Sequence, residues 1–295
     1  MPLRPAPTDR SPDAHCEFGV VVLDKPAGPT SHQVSDWVGS ILGIDRTGHI
    51  GTLDPKVTGC LPILLGTATR LTAVLTGGDK AYVALLELHD DPPTNWQSKV
   101  STFEGPLYQR PPRKSAVARR LRIRSVHDLE ILEHDGRRIL LKVRCGAGTY
   151  IRKLCHDLGM ILGTGGHMAA LRRIESTPFD DTELVTLHDL TDGVGFWEDE
   201  DDDAAFEAVV RPAEDALAHL PWITITDNTA EAVACGAPVY APGIVEIAPE
   251  LAERDEATPV VVCATSDGSA VCIGRVVGDL DADTGEVISL DRVLV

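Results

Sequence analysis

The first two thirds of the chain contain short runs of β-branched and other apolar residues that predict strands. The run "FGVVVLDKPAGPT" predicts a strand that ends in a Pro/Gly turn. The runs "KAYVALLELH" and "RRILLKVRC" also have the composition of strands. A sheet is therefore expected to form the centre of this part of the protein.

Three segments in the same region have helical patterns. Apolar residues recur at helical spacing in "SHQVSDWVGSIL", and Ser31 is predicted to cap this helix. The segment "GTYIRKLCHDLGMILG" places its apolar residues on one helical face. The segment "HMAALRRIESTPF" is predicted to be a short helix that leads into a strand. Together with the strands, these segments predict a mixed α+β domain with a largely antiparallel sheet, rather than a βαβ nucleotide-binding fold.

The sequence pattern changes after an acidic stretch at residues 197–205 and Pro212. Beyond this point short strands alternate with Gly/Asp/Ser turns and a single helix, which predicts a small β-barrel. We therefore predict a flexible, proline-rich arm over residues 1–17, the α+β domain over residues 18–210 and the barrel over residues 211–295.

The composition indicates a globular protein without a membrane span or a metal site. Of the 295 residues, 43% are hydrophobic, which suffices for a packed core. No run approaches the roughly 20 apolar residues of a membrane span, and the N-terminal residues lack an apolar signal segment. The seven cysteines are odd in number and form no CxxC pair, so neither a zinc ribbon nor a disulfide framework is predicted. We expect a reduced, metal-free protein of the cytoplasm.

The charge of the chain is strongly acidic but unevenly distributed. The formal charge at pH 7 is -18; aspartate outnumbers glutamate by 28 to 17, and arginine outnumbers lysine by 20 to 7. A carboxylate-rich, lysine-poor surface keeps a protein soluble in very high salt, so we predict a halophile's protein; an ordinary acidic protein is the alternative. The segment from Arg110 to Arg144, however, contains eleven basic residues and only four acidic ones. This block predicts a surface for a polyanion, with a solvated strand face as the alternative.

One loop motif has the features of a reactive site. In "GHIGTLDP", the glycines permit close backbone approach, and Pro55 pushes Asp54 out of helical geometry. The carboxylate is thus presented from a constrained loop. From the pattern alone, a structural Asx turn is as good an interpretation as a reactive group. A metal site is not indicated, because no suitable second ligand is nearby in sequence. The glycine-rich "LGTGGH" lacks the spacing of a phosphate-binding loop and is predicted to be a turn.

Six segments follow one another along the chain: "GVVVLDKPAGPTSHQV", "GHIGTLDPKVTGCLPILLGTATR", "DKAYVALLELHDD", "GPLYQRPPRKSAVARRLRIRSV", "RCGAGTYIRKLCHDLG" and "HMAALRRIESTPF". In this order they resemble the TruB family of RNA pseudouridine synthases, and the phrase "YQRPPRKSAV" resembles its archaeal and eukaryotic dyskerin-like branch. The resemblance extends from about Phe18 to the last residue. It implies a pseudouridine synthase domain followed by a PUA RNA-binding barrel.

The resemblance also implies the roles of four catalytic residues. Asp54 corresponds to the catalytic aspartate, either as a nucleophile or as a base, and Arg152 corresponds to the arginine that pairs with it. Tyr82 corresponds to the tyrosine that stacks on the flipped base, and Tyr150 to a second aromatic residue of the pocket. A single carboxylate is chemically consistent with an isomerase, because no water has to be activated as in a glycosidase.

Five further residues are expected to bind or support the substrate. His49 corresponds to the histidine that displaces the target nucleotide, and Leu171 to a leucine that packs on uracil. Lys25 belongs to the "KPxG" motif, which the resemblance assigns to supporting the active-site tyrosine. Arg113 and Lys114, within the basic block, are expected to face RNA.

The resemblance implies the catalytic subunit of an H/ACA guide-RNA particle. Its expected partners are an rRNA or tRNA substrate, an H/ACA guide RNA and the small proteins of such particles, with no cofactor. Two alternatives stay open at this point: a guide-independent synthase acting on the T-loop uridine of tRNA, and a non-enzymatic RNA-binding scaffold of the PUA type.

Overall fold

The computed structural model describes residues 3–111, 118–200, 202–251 and 259–295. The helices of this part are α1 (Pro12–Glu17), α2 (Ser31–Ile41), α3 (Thr72–Leu75), α4 (Trp96–Ser101), α5 (Ile151–Leu162), α6 (Leu187–Glu200), α7 (Asp203–Glu207) and α8 (Asp227–Ala234). Short 3-10 helices cover Pro7–Asp9, Gly66–Leu71, Ala213–Leu217, Ala241–Gly243 and Pro249–Leu251.

The strands fall into two sheets. They are β1 (Gly19–Lys25), β2 (Thr47–His49), β3 (Thr58–Leu65), β4 (Lys80–Leu88), β5 (Gly105–Gln109), β6 (Arg122–Asp135), β7 (Arg138–Cys145), β8 (Gly166–Ser176), β9 (Phe179–Asp180), β10 (Arg211–Pro212), β11 (Trp222–Ile225), β12 (Val239–Tyr240), β13 (Ile244–Ile247), β14 (Val260–Ala264), β15 (Ala270–Val276) and β16 (Glu286–Val293).

The first sheet confirms the predicted mixed α+β class. Its strand order is β10-β1-β3-β8-β4-β7-β6-β5, with β2 added on β3 and β9 on β8. The β3–β8 pair is parallel, and the other neighbours are antiparallel. Helices α2 and α5 pack on this sheet, α6 packs on α2 and α7, and α4 packs on α5. None of the helices in the described ranges is long and apolar enough to cross a membrane.

The prediction of a helix in "HMAALRRIESTPF" is wrong. This segment lies in strand β8, which pairs with β4 along most of its length and with the start of β3. Alanine, leucine and arginine favour a helix locally, but the strands on both sides satisfy the backbone hydrogen bonds of β8. Long-range pairing therefore overrides local propensity, and it places Leu171 and Arg173 at the centre of the sheet.

The second sheet forms the C-terminal unit, with the order β12-β16-β15-β14-β11-β13. Its strands and helix α8 agree with the predicted short strands and single helix. Strand β10 still pairs with β1 in the first sheet, and the second sheet begins at Trp222. The two sheets share a core, because Val262, Ala270 and Ile273 pack in the same apolar cluster as Val20 of β1.

Residues 3–17 differ from the flexible arm that their composition suggests. They contain a 3-10 turn and helix α1, and Arg10 is only 3% exposed. Its guanidinium donates two hydrogen bonds of 2.7 Å to Glu214 and one of 3.3 Å to the Ser269 hydroxyl. Glu214 also accepts the Ala270 N–H at 3.1 Å. One buried ion pair thus joins the N-terminal segment, the junction between the domains and the second sheet, and proline-rich composition alone does not reveal such a partner.

We expect Glu214→Gln to destabilise the protein by about 3 kcal/mol or more, because it leaves the buried Arg10 charge without its counterion. Glu183→Gln is the matched control, since Glu183 pairs with Arg211 in a more exposed position and should contribute at most about 1 kcal/mol. Urea denaturation measures both changes. Equal losses in the two variants would show that the buried pair does not hold the domains together.

Candidate active site

The loop at residues 50–57 joins β2 to β3 and carries Asp54. Gly51 lies in the left-handed region with φ +71°, which a residue with a side chain adopts only at a cost. The Val57 N–H donates to the Asp54 carbonyl at 2.9 Å and closes a turn around Pro55. The Asp54 side chain is 55% exposed, so the loop presents its carboxylate to solvent.

Arg173 of β8 binds the first half of this loop through backbone carbonyl groups. It is 1% exposed and donates hydrogen bonds to three carbonyl oxygens: Cys60 at 2.6 Å, Gly51 at 2.9 Å and Ile50 at 3.2 Å. Buried carbonyl groups and a buried guanidinium each lose hydration, so each requires such partners. The position of the loop is thereby fixed relative to the central strand.

Lys25 of β1 holds the second half of the loop. Its ammonium group donates to the carbonyls of Pro26 at 2.8 Å, Val57 at 3.0 Å and Pro55 at 3.1 Å. Burial lowers the pKa of this fully buried lysine. All three ammonium protons are in use within the protein, and these contacts do not support the prediction that Lys25 binds substrate. The resemblance assigned its motif to supporting the tyrosine, whereas the structure shows it supporting the aspartate loop.

Ser31 fixes the residue immediately before Asp54. Its hydroxyl accepts the Leu53 N–H at 2.8 Å and donates to the Leu53 carbonyl at 3.0 Å. It is the first residue of α2 and not the predicted cap. The cap is Thr30, which forms a capping box with Gln33. The hydroxyl of Ser31 is therefore available to position the reactive loop.

A cleft of about 320 Å³ brings together five of the predicted site residues: Asp54, Tyr82, Tyr150, Arg152 and Leu171. Asp54 forms an ion pair with Arg152, whose side chain is 46% exposed. Arg152 lies in the first turn of α5, where the N-terminal end of the helix dipole also favours a negative charge. The geometry thus joins a loop carboxylate to a cation from a residue about a hundred positions away.

Tyr82 forms part of the cleft from strand β4. It is register-paired with Arg173 of β8 and packs against two of the core clusters. Burial raises the pKa of its phenol, and the positive charge of Arg173 opposes this shift in part. The hydroxyl therefore stays protonated at neutral pH, and Tyr82 offers an aromatic ring rather than a phenolate.

The β5–β6 hairpin holds the backbone that leads into α5. The buried Gln109 side chain accepts the Tyr150 N–H at 2.9 Å and donates to the Tyr150 carbonyl at 3.3 Å. Arg124 donates to the Gly148 carbonyl at 3.0 Å. These contacts set where Tyr150 and Arg152 begin the helix. Gln109 and Arg124 of the hairpin thus support the cleft through the backbone and are not part of its lining.

Of the other predicted substrate residues, His49 lies next to the cleft and not in its lining. His49 lines an adjoining cavity, and its Nε2 lies 3.1 Å from the Thr52 hydroxyl. Burial, with smaller contributions from His32 and Arg173, lowers the pKa of His49, which keeps the imidazole neutral. Arg113 and Lys114 lie outside the described residues. Within the described ranges, no group of three or more His, Cys, Asp or Glu side chains is arranged to hold a metal ion.

The supporting residues that the sequence did not identify include Ser31 in the role it has here, Gln109 and Arg173. Arg173 lies in an arginine pair of an apparently helical segment, so nothing in the pattern marked it as buried. Gln109 directly precedes the basic block and could have been noticed as a neutral residue at its start. Each of the three binds backbone atoms, and such a role leaves little trace in a sequence.

Comparison with known proteins places the chain in a family. Residues 40–96 match the TruB family pseudouridylate synthase N-terminal domain, and residues 152–218 match the tRNA pseudouridylate synthase B C-terminal domain. Residues 5–35 match the DKCLD (NUC011) domain and residues 221–282 the PUA domain. The described sheet with its aspartate–arginine cleft, followed by a PUA domain, defines an RNA pseudouridine synthase.

The full-length relatives agree with this class. A protein of Halobacterium salinarum described as a probable tRNA pseudouridine synthase B is 57% identical, with all of both chains covered. One of Haloarcula marismortui with the same description is 54% identical over all of this chain and 94% of its own. The chain belongs to the TruB family of pseudouridine synthases, which isomerise uridine to pseudouridine in RNA. These halophilic relatives also agree with the prediction from the charge.

Solved structures confirm the predicted likeness to the dyskerin-like branch. The chain is similar to a crystal structure of a Cbf5–Nop10–Gar1 complex, with a TM-score of 0.91 and 40% identity over 99% of this chain and 90% of that one. It is also similar to an H/ACA particle bound to a substrate RNA that contains 2'-deoxyuridine, with a TM-score of 0.89 and 39% identity over 98% and 89% of the two chains.

We expect Gln109→Met to lower the rate of isomerisation at saturating RNA by about 10- to 100-fold, because small misplacements of reacting groups have effects of this size. The dissociation constant for RNA should change less than about twofold, since Gln109 is 2% exposed and contacts the backbone of Tyr150 instead. Single-turnover kinetics and RNA binding together measure the two quantities.

The exposed Gln97 of α4 provides the matched control for this substitution. Gln97→Met should leave both quantities unchanged. A folded Gln109→Met protein with native rate would show that the hairpin does not position the catalytic residues.

Proposed function

We propose that this chain is the catalytic subunit of an H/ACA guide-RNA particle and isomerises specific uridines in rRNA, tRNA or both. The observation that supports this most strongly is the likeness to Cbf5 in its complex with Nop10 and Gar1, which extends over 99% of the chain. The proposed partners are an H/ACA guide RNA and small proteins similar to Nop10 and Gar1. The proposed location is the cytoplasm.

Asp54 is the proposed reactive group. The reaction detaches uracil from C1′ of the ribose, turns it and rejoins it through C5, so the leaving group is also the acceptor. One carboxylate suffices for this, either by attacking the sugar as a nucleophile or by removing a ribose proton as a base. The rigid loop and the exposed carboxylate are compatible with both routes.

Arg152 and the aromatic residues are the proposed groups that orient the carboxylate and the base. Arg152 pairs with Asp54, which favours the ionised carboxylate and fixes its direction. Tyr82 is proposed to stack on the flipped uracil, with Leu171 packing beside it and Tyr150 as the second aromatic contact. His49, at the rim of the adjoining cavity, is proposed to fill the space that the extruded nucleotide leaves.

A basic groove beside the cleft supports an RNA substrate. A cavity of about 750 Å³ adjoins the cleft through Arg152 and Met168, and Arg110, Arg119 and Lys153 are among the residues that line it. This cationic surface in a chain of charge -18 is the expected contact for RNA phosphates, which arginine binds in a bidentate manner. Arg113 and Lys114 belong to the same stretch of sequence and remain predicted contacts.

A guide-independent tRNA synthase is the second candidate. It is favoured by the descriptions of the relatives from Halobacterium and Haloarcula, which name tRNA as their substrate. A non-enzymatic scaffold is disfavoured, because a scaffold would not need Asp54, Tyr82, Tyr150 and Arg152 in a single cleft.

Tritium release from C5-labelled uridine distinguishes the two enzymatic candidates. Purified protein is incubated with transcribed tRNA and with an rRNA fragment, each with and without a guide RNA and partner proteins. We expect release from the rRNA fragment only with a complementary guide. Release from tRNA at the same rate with and without the guide would instead support the second candidate.

Asp54→Asn is the control for the chemistry. It should bind RNA within about twofold of the native affinity and show at least about 10³-fold slower release, because the substitution removes the only proposed nucleophile or base. Native turnover in this variant would exclude the proposed mechanism for either candidate.

A further inference from the structure

The cavity next to the cleft is a second candidate site, and the proposed function uses only His49 of it. Its volume is about 400 Å³, within the range of roughly 300–1,000 Å³ typical of small-molecule sites. It lies between α2, β2 and α3 and shares Gly51, Thr52 and Thr76 with the catalytic cleft. The two cavities therefore adjoin along a common rim.

Hydroxyl groups give this pocket its chemical character. The side chains concerned are Ser35, Thr47, Thr52, Thr72 and Thr76. Ser35 donates its proton to the Thr47 hydroxyl at 3.0 Å, and Thr47 donates to the Ser35 carbonyl at 3.1 Å. Thr72 and Thr76 each donate to a backbone carbonyl, at 2.8 and 2.6 Å. Four of the five protons are thus used within the protein, whereas the oxygen atoms can still accept hydrogen bonds.

Because the hydroxyl oxygens of the pocket act as hydrogen-bond acceptors, the pocket disfavours anionic ligands and favours ligands that carry hydrogen-bond donors. Among the described residues that line the pocket there is no arginine or lysine, and phosphate is bound by cations and N–H groups. Exocyclic amino groups of adenine, guanine and cytosine are suitable donors. His32, whose side chain is 82% exposed, and His49 add planar rings of the kind on which unpaired RNA bases stack. The chemistry therefore fits a nucleobase better than a phosphate.

We propose that this hydroxyl pocket binds the base of a nucleotide adjacent to the target uridine and selects a base with an exocyclic amino group. The pocket and the cleft share Gly51, Thr52 and Thr76, so the pocket is within reach of a base next to a target uridine in the cleft. The inference rests on the pseudouridine synthase activity and is independent of the use of a guide RNA.

The test compares substrate RNAs that differ only in one amino group next to the target uridine. Adenosine is compared with purine riboside, and guanosine with inosine, at the unpaired position 5′ or 3′ of the target. At one of these two positions, loss of the amino group should lower kcat/KM about 3- to 10-fold, the usual size of a single hydrogen-bond effect. Equal kcat/KM for both members of every pair would overturn the proposal.

Two variants then place the effect in the pocket. Thr72→Val and Thr47→Val each remove an acceptor with little change of shape and should reduce the amino-group dependence to less than about twofold. Thr102→Val is the matched control, because the Thr102 hydroxyl also donates to a carbonyl three residues earlier, that of Lys99 at 2.7 Å, and lines neither cavity. Native discrimination in both pocket variants, or its loss in Thr102→Val, would show that the base is recognised elsewhere.

Discussion

Two buried cations that bind backbone carbonyls determine the geometry of this active site. Arg173 of β8 and Lys25 of β1 approach the reactive loop from the two strands that flank β3, and together they satisfy carbonyl groups on both sides of Asp54. A loop with a left-handed glycine and a proline has few backbone hydrogen bonds of its own, so it requires such partners. Because both cations are fully used beneath the loop, the exposed carboxylate is left with Arg152 as its ion-pair partner. Different cations therefore do the two tasks: Arg173 and Lys25 stabilise the loop, and Arg152 orients the reactive carboxylate.

The same separation explains how a chain of charge -18 contains an RNA enzyme. Only 27 of its residues are basic, and several of them are buried in structural roles, such as Arg10 between the two sheets and Lys80 beneath the cleft. Burial lowers the pKa of Lys80 to about 8, so even this cation is held at a cost. Arg110, Arg119, Arg152 and Lys153 line the cleft or the groove beside it, where a local cationic surface matters more than the net charge. The hydroxyl pocket adds a form of recognition that does not depend on charge.

The sequence predicted elements whose pattern is local. Strands β4 and β7 and helix α5 have clear periodicity, and the structure confirms all three. Strand β8 was missed because its partners β3 and β4 are distant in sequence, while its own residues favour a helix. For the site, the resemblance identified the residues that the structure gathers in one cleft. It did not identify the burial of Lys25 or the backbone contacts of Gln109, since burial and backbone contacts depend on the assembled fold.

The central claim is that buried cations, acting on backbone carbonyls, hold the catalytic carboxylate in place. Lys25→Met tests it most directly, with Lys99→Met, a substitution on α4 away from the loop, as the control. The measurement is the isomerisation rate at saturating RNA together with the dissociation constant for RNA. The account predicts a rate about 10-fold or more below the native one at unchanged RNA affinity for Lys25→Met, and native values for Lys99→Met. A folded Lys25→Met protein that turns over at the native rate would contradict it.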